Sequence, residues 1–132
     1  METMGELEYY IIADDEEIYP VPDQKGYHES RPFNKFTDYR VEAMRLIAQA
    51  GGMIKYGHSE VGNFTLDGKI YEQNEIEFLP TNIEDAADQL VIAKWIMRQL
   101  AYEYGVTLTF APKITVGKAG SGMHVHCKFT KD

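Results

Sequence analysis

The sequence predicts an α+β domain, an antiparallel sheet carrying helices on one of its faces. Three observations predict it. Two runs rich in β-branched and aromatic residues flank an Asp67-Gly68 pair of the kind found in tight hairpin turns. Two longer segments carry apolar residues at helical spacing and stop at glycines, Gly51-Gly52 and Gly105. Further strand-like runs lie near each end of the chain, over 5–13 and 124–129.

The run 5–13 alternates as a strand, so Glu6 and Glu8 share one face while Leu7, Tyr9 and Ile11 share the other. Tyr10 and Ile12 extend the face that carries the glutamates. A face apolar at one end and doubly acidic at the other predicts carboxylates projecting into a cavity. Asp14-Asp15-Glu16-Glu17 reads as an exposed turn, and Ile18-Tyr19-Pro20-Val21-Pro22 leads into a polar loop reaching Asn34. Thr37 or Asp38 opens a helix whose Val41, Met44, Ile47 and Ala48 are expected to face inward. Antiparallel pairing of 55–62 with 71–78 brings Glu60 and Glu75 toward the same end of a hairpin, far from its tip; Glu77 reads as an exposed strand residue.

Thr81-Asn82-Ile83-Glu84 has the form of a capping box. The helix after it turns Ala86, Leu90, Ala93, Met97, Leu100, Ala101 and Tyr104 inward, while Trp95 and Tyr102 fall off that stripe and are free to cover a neighbour. Strands over 106–110 and 124–129 complete the set. The second contains His124 and His126, two residues apart and so on one face, behind Gly120 and Gly122, which let the backbone approach something bulky or charged. Clustered carboxylates with little imidazole suit magnesium or manganese. Zinc more often takes cysteine or several histidines, and the chain has a single cysteine, Cys127. A cupin-like site for His124 and His126 fails because no glutamate follows the pair within a few residues.

Composition bounds the function classes. The chain has 132 residues, 44% of them hydrophobic and 26% charged, as expected of one soluble globular domain. A net charge of −8 argues against a nucleic-acid-binding surface. Cys127 has no partner for an internal disulfide, which fits a reducing, cytoplasmic setting, and is expected to pack inertly on its strand. No apolar run is long enough to span a membrane.

Several motifs occur in one order: Glu6-Leu7-Glu8, then Glu60-Val61-Gly62, then Gln73-Asn74-Glu75-Ile76-Glu77-Phe78, then Phe110-Ala111-Pro112-Lys113 and Gly120-Ser121-Gly122-Met123-His124-Val125-His126. This order resembles the catalytic domain of glutamine synthetase, with Lys25-Gly26-Tyr27 as a weaker match. The resemblance implies the core of that domain over 1–132, without the family's amino-terminal domain or the carboxy-terminal half of its catalytic domain. It implies two divalent-metal sites, for magnesium or manganese. The inner one would use Glu8, Glu60 and Glu75; the outer one would use Glu6, His124 and a glutamate from further along the family's chain. His126 and Lys128 match positions near ATP, and Ala119 and Gly120 match positions near the glutamate substrate. The implied reaction phosphorylates glutamate with ATP, and ammonia then displaces phosphate from γ-glutamyl phosphate. The implied assembly is a homo-oligomeric ring, and the 132 residues alone are expected to be inactive.

The chain departs from the family pattern at Ala119, where asparagine is usual, at Lys128, where serine is frequent, and at Ser59, where a second histidine is usual. Residues 63–70 look like an inserted hairpin tip. These departures spare all five matched ligands and bear most on the amino-acid substrate. The alternatives are a relative that ligates glutamate to another amine and a non-catalytic scaffold retaining the fold.

Overall fold

The computed structural model describes residues 1–131. Its elements are β1 (Glu2–Asp14), α1 (Thr37–Gln49), β2 (Ile54–Leu66), β3 (Lys69–Phe78), α2 (Ile83–Tyr104), β4 (Thr107–Thr109) and β5 (Met123–Lys128). The sheet runs β2-β3-β1-β4, and β5 pairs with the first half of β1. Every pairing is antiparallel, so the α+β class with an antiparallel sheet holds.

Alternation along the strands sorts the residues into two layers. Leu7, Tyr9, Ile11, Ile76 and Phe78 point to one face and are buried against Tyr39, Ala43 and Ile47 of α1 and Leu90, Ala93, Met97 and Leu100 of α2. Both helices therefore cover one face and leave the other free of helices. The hairpin tip is Asp67-Gly68, whose φ angles of 52° and 76° are those of a primed two-residue turn.

The inward face of α1 differs from the expected one. Val41 is 53% exposed and Ala48 is also exposed, whereas Tyr39, Arg40, Ala43 and Ile47 are buried. A polar network rotates the helix. Asn34 and Asn74 accept hydrogen bonds from the buried Arg40 guanidinium, and the Tyr39 hydroxyl donates to the Met97 carbonyl at 2.6 Å. The buried Glu72 carboxylate accepts the Lys35 and Phe36 amides at 2.6 and 3.1 Å, at the positively polarised start of α1. Burial raises the Glu72 pKa against the opposing pull of these donors.

The capping box shifts by one residue. Asn82 caps α2 by accepting the Asp85 amide at 2.9 Å, while Thr81 forms a bridge to Thr3. Tyr104 lies at the rim, 43% exposed, with its ring edge against Tyr39. Trp95 and Tyr102 project from α2 into solvent. Cys127 is exposed, as is every residue of β5, so it does not pack inertly as expected.

Replacing Ile76, which is fully buried between sheet and helices, by alanine should cost about 2–5 kcal/mol. Tyr102→Ser should stay within about 0.5 kcal/mol of the parent. Urea unfolding of the two variants measures both.

Candidate metal centre

The register of β1 against β3 builds the open face. Glu6 stands opposite Glu77 and Glu8 opposite Glu75. β2 adds Tyr56 beside Glu77 and His58 beside Glu75, and β5 adds His124 on the other side of Glu6. Two rungs therefore cross the sheet: Tyr56, Glu77, Glu6 and His124 in one, His58, Glu75 and Glu8 in the next. Glu60 enters from an irregular stretch of β2 between Ser59 and Asn63, where the pairing shifts register.

Glu75 sits at the centre. Its Oε1 lies 3.6 Å from His58 Nε2, and His58 Nδ1 lies 4.0 Å from Glu60 Oε1. His58 Nδ1 is also 2.9 Å from the Ser59 carbonyl, which favours the tautomer with the proton on Nδ1 and the Nε2 lone pair toward Glu75. His58, Glu60 and Glu75 each bring one ligand atom within 4.8 Å of the others, and so do Glu6, Glu75 and Glu77. Desolvation and the neighbouring Glu8, Glu60 and Glu6 carboxylates push Glu75 well above the ordinary carboxylate range. Among the described residues, no lysine or arginine forms an ion pair with any of these five glutamates.

The glycine segment closes over one end. The Gly122 amide donates to Glu8 Oε2, and a Cβ there would stand 2.7 Å from His124 Nε2 and 3.2 Å from Glu8 Oε2. The charged group that this glycine admits is thus the chain's own Glu8. The Gly120 carbonyl accepts from Gln73 Nε2 at 3.0 Å. Ala119 is held through its backbone: its carbonyl accepts from Tyr10 at 2.6 Å and its amide donates to Gln24 at 2.7 Å. Burial, then Glu8, pushes the Tyr10 phenol up to about 12, so it remains a donor at neutral pH. His124 Nδ1 and His126 Nε2 straddle the Glu6 carboxylate at 3.3 and 2.9 Å, and both rings are more than half exposed. Lys128 ends the same strand in solvent.

Glu6, Glu8, Glu60, Glu75 and His124 therefore share one face of the sheet. Glu77 corrects the reading of an exposed strand residue: it is only 7% exposed, and its neighbour across β2, the Tyr56 phenol, is raised to about 12, chiefly by a hydrogen bond to Glu77. Its spacing from Glu75 matches that of Glu8 from Glu6, which was the available signal. His58 was likewise missed as a member of the cluster, although it stands two residues from Glu60.

A model of the family "Glutamine synthetase, catalytic domain" matches residues 2–132. The chain belongs to the glutamine synthetase family. The glutamine synthetase of Mycolicibacterium smegmatis is 33% identical over 114 residues, which span 86% of this chain and 22% of that protein. The glutamine synthetase of a Nostoc species is 36% identical over 109 residues, 83% of this chain and 22% of that protein. The chain thus spans about a fifth of the length of these curated relatives. In fold it matches the cryo-electron-microscopy structure of Plasmodium falciparum glutamine synthetase with a TM-score of 0.80 at 20% identity, over 94% of this chain and 29% of that one. Among the described residues, no helix is long and apolar enough to cross a membrane.

The Glu75 pKa fixes the sign of a pH effect. Its folded value is raised above the ordinary 4.5, so the folded state holds this proton more tightly than the unfolded state. Metal-free stability contributed by this group is full below pH 4.5 and declines as pH rises through the folded value. Glu75→Gln should therefore raise the melting temperature of the metal-free protein at pH 8 and change it little at pH 4.5. Equal shifts at both pH values would refute the raised Glu75 pKa and with it the account from burial and like charge.

Proposed function

We propose that these residues form the metal- and nucleotide-facing part of an ATP-dependent ligase that makes glutamine from glutamate and ammonia through γ-glutamyl phosphate. The observation that carries the reading is one sheet face bearing five carboxylates without a lysine or arginine partner. That donor set, oxygen-rich with few imidazoles, fits magnesium or manganese. Bound divalent ions would neutralise the phosphate oxygens on which charge builds during phosphoryl transfer.

The chain's own residues divide the work. Glu8, Glu60 and Glu75 hold the inner position, and Glu6 with His124 the outer one. His126, which shares Glu6 with His124, and Lys128 lie toward the nucleotide. The Gly122 amide keeps Glu8 oriented. Glutamate would lie along the Ala119-Gly120 backbone, where Gln73 and Tyr10 hold the segment against the sheet. We extend the proposal to the whole protein, namely the remainder of the catalytic domain, a homo-oligomeric ring and a cytoplasmic setting, on the strength of kinship with glutamine synthetases.

Ala119 favours a second reading at the level of substrate. A methyl group offers no side-chain hydrogen bond, and both backbone polar atoms are already engaged within the chain. A glutamate–amine ligase with a different amine or amino-acid preference is consistent with that loss.

Melting of the 132-residue chain against manganese concentration tests the assignment. Manganese should raise the melting temperature by mass action, Glu60→Gln should flatten the response, and His124→Ala should leave most of it. The reverse ranking would displace the inner position from Glu8, Glu60 and Glu75. No glutamine should form from the 132 residues alone, and within a full-length enzyme Glu8→Ala should abolish ATP turnover.

A further inference from the structure

We infer that Glu77 is a metal ligand, completing a second divalent-cation position with Glu6 and Glu75. The inference rests on the metal-binding part of the function proposed above, but Glu77 has no place in the family's ligand pattern as matched to this chain.

Three observations converge on it. Glu77 faces Glu6 directly across β1 and β3. One ligand oxygen each from Glu6, Glu75 and Glu77 lies within 4.8 Å of the others. An octahedral hard cation with ligands at about 2.1 Å holds its oxygens about 3 to 4 Å apart, so the trio is near enough to close on one ion. Finally, Glu77 is 93% removed from solvent, and its Oε2 has no hydrogen-bond partner among the described residues.

A buried carboxylate oxygen without a partner carries the desolvation penalty of a charged acceptor. A cation is the ligand class that offsets it. Tyr56, the neighbour across β2, supplies only a neutral hydroxyl. No lysine, arginine or histidine among the described residues reaches Glu77 within ion-pair distance.

Glu75 belongs to this trio and also to the trio with His58 and Glu60. One carboxylate thus bridges two cation positions. Glu77 supplies from within β3 a third carboxylate for the outer position, which the family pattern otherwise completes with a glutamate from further along the chain. The ligand class is a hard divalent ion of the magnesium or manganese type, preferring oxygen.

The test counts manganese bound to the metal-stripped 132-residue protein, by electron paramagnetic resonance of free ion and by calorimetry. Wild type should bind two ions per chain. Glu77→Gln should lose the weaker ion or weaken it at least tenfold, leaving the tighter one, and Glu60→Gln should do the converse. Far-UV circular dichroism checks that each variant folds. If Glu77→Gln does not fold, Glu77→Asp, which keeps the charge and shortens the reach, should weaken the same ion at least tenfold. Unchanged binding of both ions in Glu77→Gln, or in Glu77→Asp where that variant replaces it, would overturn the assignment. A single ion removed by Glu60→Gln and untouched by Glu77→Gln would overturn it while leaving the proposed function standing. A wild type that binds no manganese at millimolar concentration would overturn both.

Discussion

The antiparallel register of β1 on β3 is the constraint from which the rest of the molecule follows. It sets Glu6 against Glu77 and Glu8 against Glu75 on one face, and in the same stroke sets Leu7 against Ile76 on the other. A slip of one residue would turn the glutamates into the helix layer and the core into solvent. The hydrophobic layer thus enforces a placement of charge that the carboxylates would never adopt by themselves. Burial of Leu7, Tyr9, Ile11, Ile76 and Phe78 against α1 and α2 supplies the driving force.

That arrangement carries a cost the protein keeps at one place. Five carboxylates converge with no lysine or arginine paired to them among the described residues, and Glu75, desolvated beside the others, responds by holding its proton. Elsewhere buried charge is met by hydrogen-bond partners, even where single atoms such as Thr3 Oγ1, Tyr9 OH and Arg40 Nε go without. Glu72, equally buried, is met by two backbone amides and Asn74, and Arg40 is met by two asparagines. The contrast between two glutamates three residues apart, one supplied with donors and one surrounded by acceptors, separates a structural carboxylate from a chemical one. Like charge gathered without a counter-charge on one sheet face is the pattern expected of a ligand site.

Much of this was legible in the chain. Period-two alternation placed Glu6 with Glu8 and His124 with His126, and the Asp-Gly turn fixed the hairpin that carries Glu60 and Glu75. The motif order gave the family. What escaped the sequence depended on tertiary neighbours. Val41 and Ala48 were placed inward by helical spacing, but a buried guanidinium on Arg40 turned α1 toward Asn34 and Asn74 instead. The α2 cap passed from Thr81 to Asn82 because Thr81 was drawn into a bridge with Thr3. Glu77 was misread because periodicity names the face a residue shares and is silent on whether solvent reaches it. Tyr56, from a third strand, decides that question.

The two halves of the acidic face are anchored unequally. Glu8 and Glu75 lie in strands flanked on both sides, whereas His124 and His126 come on β5, which is exposed along its whole length and pairs only with β1. An exposed strand held by one edge is the kind of element that opens first in local fluctuations, while the centre of a sheet opens only with the whole fold. Transient release of β5 would strip both imidazoles from Glu6 and leave the carboxylate pairs of β1 and β3 in place. The imidazole side of the face is thus the labile part of the molecule, able to come and go on a carboxylate platform that persists.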